Sequence, residues 1–199
     1  KQAEAIGADG LLAVTPYYNK CTQNGLYAYY KSICEAVKIP VIAYNVPSRT
    51  GLNIQPATMA RIAEIPNMAG IKDAGGNMSQ TMEIFRFIRG KCDLYSGEDA
   101  LNFPILAVGG SGVISVLSNV VPADVKKLYT LIKEGRTEEA CALQDKLLPL
   151  SQACFLEVNP IPAKAAMNLL GFDAGTPRAP LSEIEPNNKE KLRKAMSDY

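Results

Sequence analysis

Two hydrophobic patterns alternate along this chain. Short runs of nearly continuous apolar residues are typical of β-strands that are buried on both faces. Between them lie longer segments in which apolar residues recur every three or four positions, as on one face of a helix. The runs predict strands over residues 9–15, 41–46, 68–74, 93–97 and 112–117. The intervening segments predict helices over residues 25–38, 56–65, 79–88, 100–108 and 125–133.

Strands that alternate with helices predict βαβ units and a parallel sheet. An open doubly wound sheet and a (β/α)8 barrel both fit this alternation. A nucleotide-binding doubly wound fold usually carries a glycine fingerprint after its first strand, whereas the glycine cluster at residues 109–112 precedes a strand. Polar residues gather instead at strand ends, as at Tyr44, Lys72 and Glu98. Because barrel enzymes hold their active sites at that face, we predict the α/β class and a TIM barrel.

After residue 135 the strand pattern ends, and helices are predicted over residues 137–157, 163–170 and 187–196. We therefore expect residues 1–135 to form the C-terminal part of the barrel with five strands, and residues 136–199 to form a helical appendage. A complete barrel has about 250 residues. We accordingly expect this chain of 199 residues to lack roughly the first three βα units.

Composition and charge exclude several classes of function. The net charge is +1 without a basic stripe, so nothing indicates binding to nucleic acid or to an anionic membrane. No apolar run is long enough to span a bilayer, and no signal peptide is visible. Five scattered cysteines without a CxxC motif indicate reduced thiols in a cytoplasmic protein, and neither a disulfide framework nor a zinc site.

The chain contains no histidine. Within these residues, that absence excludes Ser-His-Asp and Cys-His catalysis, histidine-ligated metal sites and acid–base chemistry by histidine. Chemistry must therefore use lysine, tyrosine, arginine, serine, threonine or carboxylates, and we expect no metal site.

Lys72 is the first candidate for that chemistry, because it lies near the end of a predicted strand. A lysine that points into a barrel is costly to bury as an ammonium ion, so burial lowers its pKa. The neutral amine is a nucleophile that forms a Schiff base with a carbonyl. The alternative is a lysine that extends to solvent at the strand end. Because strand side chains alternate faces, Asp73 is expected to point toward the helices as a cap or loop anchor.

Tyr44 and Arg49 are the next candidates. Tyr44 is either an aromatic residue that fills the top of the barrel or a proton relay beside the lysine. Arg49 lies in a Pro/Ser/Gly loop just beyond. Loop arginines are usually solvated, but beside a site the guanidinium group binds a carboxylate through paired hydrogen bonds.

Several motifs together resemble one family. The chain carries YNVPSRTG at residues 44–51 and GIKDA at residues 70–74, with TPYYNK upstream and SGED, GVISV and NPIPAK downstream. This combination resembles the dihydrodipicolinate synthases, which are lysine-dependent pyruvate aldolases with a (β/α)8 barrel and extra C-terminal helices. The resemblance extends over essentially the whole chain.

The resemblance implies roles for individual residues. Lys72 matches the lysine that forms the Schiff base with pyruvate, and Tyr44 matches the tyrosine that relays protons. Tyr18 matches a tyrosine that crosses a dimer interface to complete a neighbour's proton relay.

Further residues match binding positions of the family. Arg49 matches the arginine that binds the carboxylate of aspartate semialdehyde, and Gly97 and Ile114 match backbone positions that line the pyruvate pocket. Tyr17 matches a residue near the interfacial site where lysine, the end product of the pathway, inhibits many members. The family's threonine pair, which joins the tyrosine relay, has no counterpart among residues 1–199.

The implied activity is a Schiff-base condensation of pyruvate with L-aspartate 4-semialdehyde. It gives 4-hydroxy-tetrahydrodipicolinate in the diaminopimelate route to lysine, by a carbon–oxygen lyase of the class I aldolase type. The resemblance implies no metal or organic cofactor. It does imply that the protein forms a homodimer or homotetramer. The alternatives are an N-acetylneuraminate lyase or keto-deoxy sugar acid aldolase, which generally lack an equivalent of Arg49, or a barrel fragment without activity.

Overall fold

The computed structural model describes all residues from 1 to 199. Five parallel strands form one sheet, and neighbours in the sheet are also neighbours in the sequence. A doubly wound sheet would reverse its strand order at a switch point, whereas a barrel adds each strand beside the last. The strands are β1 (Leu11–Val14), β2 (Val41–Asn45), β3 (Met68–Asp73), β4 (Asp93–Ser96) and β5 (Gly112–Val113).

Ten helices accompany the strands, and their ends follow local sequence signals. The side chain of Thr22 accepts a hydrogen bond from the backbone of Gly25, and Asn77 accepts one from the backbone of Gln80; both are N-caps. The helices are α1 (Gln2–Ala5), α2 (Gln23–Ala36), α3 (Pro47–Thr50), α4 (Pro56–Ile62), α5 (Met78–Ile88), α6 (Asn102–Ala107), α7 (Pro122–Lys133), α8 (Thr137–Ala153), α9 (Ile161–Leu169) and α10 (Pro186–Ser197).

The two faces of the sheet differ in burial. On one face Ala43, Ile71 and Leu94 are completely buried and form the core. On the other face Tyr44, Lys72 and Tyr95 occupy one register row and are half-buried. The side chains that the sequence marks as reactive thus lie on the less buried face.

The chain divides into two compact units. The first comprises residues 1–97 and 107–114, and the second comprises residues 98–106 and 115–199. All five strands lie in the first unit, and helices α7 to α10 lie in the second. The sequence-based division at residue 135 separates the predicted barrel part from the predicted helical appendage. This division stays a prediction.

The structure corrects two sequence-based expectations. The strand predicted over residues 112–117 ends at Val113, and a 3-10 turn follows at Leu117–Asn119. The apolar run is therefore only partly extended, although Ile114 still donates its backbone N–H to the carbonyl of Ser96 at 2.8 Å. The loop expected after Tyr44 contains the short helix α3, which Pro47 begins. No helix is long and apolar enough to cross a membrane.

Candidate active site

Lys72 and Tyr44 meet at the carboxyl ends of β3 and β2. The two residues are register partners in the parallel ladder. The Lys72 Nζ atom lies over the Tyr44 ring, 4.1 Å from its centroid. Both side chains are half-buried, so the amine is neither solvated like a surface lysine nor enclosed in the core. The structure thus brings the predicted nucleophile and the predicted proton relay into contact.

Gly97 leaves the space that the Lys72 side chain occupies. A Cβ atom at residue 97 would lie 2.9 Å from Lys72 Cγ and 3.0 Å from Lys72 Cε. Such distances are shorter than normal carbon–carbon contacts. The Gly97 backbone N–H donates to the carbonyl of Asp73 at 2.8 Å, which holds this glycine beside the end of β3. A side chain at residue 97 would therefore require the Lys72 side chain or Ala74 to shift.

Arg49 is carried by helix α3, directly after β2. Pro47 begins this helix, and Gly51 ends it in the left-handed region with φ at 66°. The Arg49 side chain is exposed, and its positive charge acts on the Tyr44 hydroxyl. Burial raises the pKa of Tyr44 above its ordinary 10.0, and the charge of Arg49 partly offsets this increase. Tyr44 is therefore a neutral phenol at physiological pH and is able to donate a proton.

A pair of threonines connects the segments after β1 and β2. The Thr15 hydroxyl is completely buried and donates to Thr50 Oγ1 at 3.1 Å. Thr50 donates in turn to backbone carbonyls of its own turn. Since Arg49 directly precedes Thr50, this contact ties the arginine-bearing helix to the end of β1.

Tyr17 and Tyr18 lie at the surface in the segment that follows β1. Tyr17 is 69% exposed and Tyr18 is 91% exposed. Tyr18 adopts a left-handed backbone conformation with φ at 62°, which is uncommon for a residue with a side chain. Within this chain the structure therefore does not bury either tyrosine beside the Lys72–Tyr44 pair.

Two acidic residues act as structural anchors, and the alternation of strand side chains predicts this role for Asp73. Asp73 is buried on the face opposite Lys72 and accepts the Gly75 N–H. Asp99 accepts the backbone N–H groups of Val116 and Leu117. The hydrogen bond to Gly75 confirms that Asp73 anchors a loop.

Sequence reasoning missed the side chains that surround Asp73. Asn45 and Thr81 are buried and both donate to the Asp73 carboxylate. One signal in the sequence was Asn45, a polar residue that directly follows Tyr44 in an otherwise apolar strand. No group of three or more cysteine and acidic side chains is close enough to hold a metal ion.

The geometry favours carbonyl chemistry. A half-buried amine in contact with a neutral phenol condenses with a ketone when the phenol supplies or accepts the accompanying proton. A nearby guanidinium group provides a binding point for a carboxylate.

Comparison with known proteins adds independent findings. The model of the dihydrodipicolinate synthetase family matches residues 1–199. The 4-hydroxy-tetrahydrodipicolinate synthase of Caldicellulosiruptor bescii is 52% identical over 199 residues, which are 100% of this chain and 67% of that protein. The chain thus spans about two thirds of the length of such relatives.

Solved structures show the same similarity in three dimensions. One is a chloride-inhibited dihydrodipicolinate synthase from Acinetobacter baumannii complexed with pyruvate, with a TM-score of 0.94 and 41% identity over 98% of this chain and 67% of that one. Another, from Cyanidioschyzon merolae with lysine bound, has a TM-score of 0.95 and 38% identity over 99% of this chain and 67% of that one. The sequential parallel sheet is therefore part of a (β/α)8 barrel, as predicted.

Proposed function

Because this chain belongs to the dihydrodipicolinate synthetase family, we propose that it condenses pyruvate with L-aspartate 4-semialdehyde through a Schiff base on Lys72. The product is 4-hydroxy-tetrahydrodipicolinate, in the first step of the diaminopimelate route to lysine. The observation that carries the proposal is the contact of Lys72 Nζ with the Tyr44 ring at adjoining strand ends. The enzyme is then a carbon–oxygen lyase of the class I aldolase type.

The first half of the reaction activates pyruvate. The neutral amine of Lys72 attacks the ketone carbon, the carbonyl oxygen leaves as water, and an imine forms. Loss of a proton from the methyl group converts the imine to an enamine. Tyr44 is suited to carry these protons, since its phenol is neutral and lies against the amine.

The second half forms the carbon–carbon bond and the ring. The enamine carbon attacks the aldehyde carbon of aspartate semialdehyde, and the aldehyde oxygen takes up a proton to become the hydroxyl group. The amino group of the semialdehyde then attacks the imine carbon, which closes the ring and releases Lys72 as a free amine. The net change is loss of water, and no metal or organic cofactor takes part.

The remaining residues hold the substrates in this scheme. The Arg49 guanidinium group binds the carboxylate of aspartate semialdehyde through paired hydrogen bonds. The backbone near Gly97 and Ile114 lines the pyruvate pocket, with the Ile114 N–H bonded to Ser96 in the ladder. Arg49 favours aspartate semialdehyde over the polyol substrates of the sugar acid aldolases, because it offers a cation where those enzymes generally have none.

The proposal includes an assembly of identical chains. The high exposure of Tyr17 and Tyr18 supports a homodimer or homotetramer in which Tyr18 completes the proton relay of a neighbouring subunit. Tyr17 then lies near an interfacial site for lysine as an inhibitor; lysine is bound in the structure of the Cyanidioschyzon merolae relative. A cytoplasmic location is part of the proposal, since all five cysteines are free thiols.

Trapping with borohydride tests the Schiff base. We expect that protein made from its complete coding sequence, incubated with pyruvate and reduced, carries a pyruvyl adduct on Lys72 in a peptide map. Lys72→Arg keeps the positive charge but has no nucleophilic amine, so it should give no adduct. A folded protein without an adduct at Lys72 would contradict the proposed function.

A substitution at Arg49 tests the second substrate. We expect Arg49→Ala to lower kcat/KM for aspartate semialdehyde by about 100-fold, because a charge-assisted paired contact is lost. The rate of pyruvate adduct formation should change little, since this step precedes aldehyde binding. Lys20→Ala serves as a control, because it removes an exposed cation from a neighbouring loop. Loss of both steps in Arg49→Ala would count against the assigned role.

A further inference from the structure

The carboxyl ends of β2 and β3 carry two register pairs that face opposite sides of the sheet. Tyr44 pairs with Lys72, and the next residues, Asn45 and Asp73, pair with each other. Because side chains alternate along a strand, the Asn45–Asp73 pair points away from the Lys72 amine. Asn45 is completely buried and Asp73 is 3% exposed. The Lys72–Tyr44 pair is therefore directly followed in both strands by a buried polar pair, Asp73 and Asn45.

The Asp73 carboxylate is held from three directions. Its Oδ1 atom accepts the Asn45 amide at 3.0 Å and the Gly75 backbone N–H at 3.2 Å. Its Oδ2 atom accepts the Thr81 hydroxyl of helix α5 at 2.5 Å. A buried carboxylate with several donors is strongly fixed in place. Asp73 thus joins β3 to β2, to the following turn and to α5.

Asn45 extends this network to the segment before α4. Its amide also donates to Asn53 Oδ1 at 3.0 Å, and its Oδ1 atom accepts the Ile54 backbone N–H at 3.0 Å. Asn53 in turn exchanges two hydrogen bonds with Gln80 of α5, at 2.7 and 3.0 Å. Polar contacts therefore run continuously from the end of β2 through the α4 segment to α5.

The backbone of the same residues completes the connection. The Asn45 carbonyl accepts the Ala74 N–H at 2.9 Å, and the Asp73 carbonyl accepts the Gly97 N–H at 2.8 Å. Gly97 is the residue whose missing side chain makes room for Lys72. The side-chain network therefore holds β2 with Tyr44 on one side of Lys72, and the Asp73 backbone holds Gly97, directly after β4, on the other.

We propose that Asp73, held by Asn45 and Thr81, is a positioning residue that sets the Lys72 amine against Tyr44 for Schiff-base chemistry. The inference rests on the proposed function and goes beyond it by assigning a role to side chains that never touch substrate. Reactive groups must be held within a fraction of an ångström. Replacing a buried hydrogen-bonded pair by apolar groups is often neutral for stability, so stability alone gives little reason for a polar network at this strand end.

The test compares three substitutions in protein made from its complete coding sequence. Asp73→Ala removes both carboxylate oxygens that accept hydrogen bonds. We expect kcat to fall by about 100-fold while KM for each substrate changes far less. Asp73→Asn has nearly the same shape. Its oxygen still accepts from Asn45 and Gly75, and its amide donates to the Thr81 oxygen, so we expect kcat within about threefold of the original. Thr81→Val removes one donor and should give an intermediate loss.

Active-site titration separates positioning from folding. The amount of borohydride-trapped pyruvate at long times counts the competent sites, and the trapping rate is expressed per site. Asn67→Gly is the matched control, because Asn67 donates to the carbonyls of Cys34, Val37 and Ile39 just before the start of β3. It should lower stability and leave the rate per site unchanged.

The outcomes distinguish the two proposals. If the unaltered protein forms no adduct, the proposed function fails. If it forms the adduct and Asp73→Ala reacts at the same rate per site, the positioning role is overturned. If Asp73→Ala does not fold, Thr81→Val decides, since an unchanged rate per site in that variant also overturns the role. A lower rate per site that Asp73→Asn restores supports it.

Discussion

At the scale of the residue, the site depends on the missing side chain of Gly97 as much as on the side chains of Lys72 and Tyr44. The lysine is able to lie along the end of β3 because Gly97 has no Cβ atom, which would lie 2.9 Å from Lys72 Cγ. Tyr44 contributes a phenol whose pKa is raised by burial, so its proton is retained at physiological pH. The proposed function requires all three features: the amine of Lys72, the phenol of Tyr44 and the space beside Gly97.

A substitution at Gly97 tests this close approach. We expect Gly97→Ala to displace the Lys72 side chain and to lower the rate of pyruvate trapping by about 100-fold, because a small misplacement of a reacting group has large kinetic effects. Gly112→Ala is the matched control, since its new Cβ would meet Tyr95 at 3.4 Å, an ordinary contact distance. Equal trapping rates in the two variants would show that residue 97 tolerates a side chain.

At the scale of the element, helix α2 is fixed to the sheet by two adjacent tyrosines. The hydroxyl of Tyr30 donates to the Ala13 carbonyl at 3.1 Å, and that of Tyr29 donates to the Val14 carbonyl at 3.0 Å. Tyr30 is completely buried, and its burial raises its pKa far above the ordinary 10.0. The helix thus packs its apolar face and also satisfies carbonyls of β1.

Removing these hydroxyls separates the hydrogen bond from its pH dependence. We expect Tyr30→Phe and Tyr29→Phe each to lower the free energy of unfolding at pH 8 by about 1 kcal/mol, the usual contribution of such a bond. Above pH 10 an unfolded tyrosine ionises while folded Tyr30 does not, so Tyr30→Phe should lose less stability with rising pH than the unaltered protein. Urea unfolding at pH 8 and at a pH above 10 measures this difference. Identical changes of stability with pH in Tyr30→Phe and the unaltered protein would contradict the prediction.

The element scale also shows where prediction from sequence succeeded. The strands that carry Tyr44 and Lys72 were predicted within a residue or two, because apolar runs between turn signals constrain a buried strand strongly. The predicted end of the last strand, residue 117, was wrong. Ser115 and Val116 belong to a β-favouring run, but the chain leaves the ladder before the turn at Leu117–Asn119. Local pattern does not encode where a hydrogen-bonding partner ends.

At the scale of the whole molecule, both compact units contain buried thiols. Burial raises the pKa of Cys92 in the first unit to about 11, and that of Cys154 in the second to about 11, from an ordinary 9.0. The Cys92 thiol also donates to the Met68 carbonyl at 3.1 Å. The folded chain therefore keeps these thiols protonated at pH values where an unfolded chain ionises them.

This difference predicts sensitivity to alkali. The folded-state pKa lies above the unfolded one, so the contribution to stability is complete below pH 9 and is lost as the pH rises toward 11. We expect the free energy of unfolding to fall across that window and the fall to be smaller in Cys92→Ala. Cys141→Ala, which removes an exposed thiol, should leave the slope unchanged. Urea titrations at pH 8 and pH 10.5 would reveal a pH-independent stability if the expectation is wrong.

The sequence by itself determined the class of the protein and led to a prediction of its reactive residues. The alternation of strand and helix patterns, the lack of histidine and the motifs around Tyr44, Arg49 and Lys72 are local properties, so they can be recognised without coordinates. They sufficed to predict a parallel α/β fold, a lysine-based site and a family resemblance, and the family model and the solved structures bear out the fold and the family.

Only the tertiary structure decided how those residues meet. The sequential strand order excludes a doubly wound sheet, and it aligns Tyr44 with Lys72 across β2 and β3. The space beside Gly97 and the network around Asp73 join segments that are far apart in the chain. Contacts of this kind depend on register and on three-dimensional packing, which no local pattern of apolar and polar residues specifies.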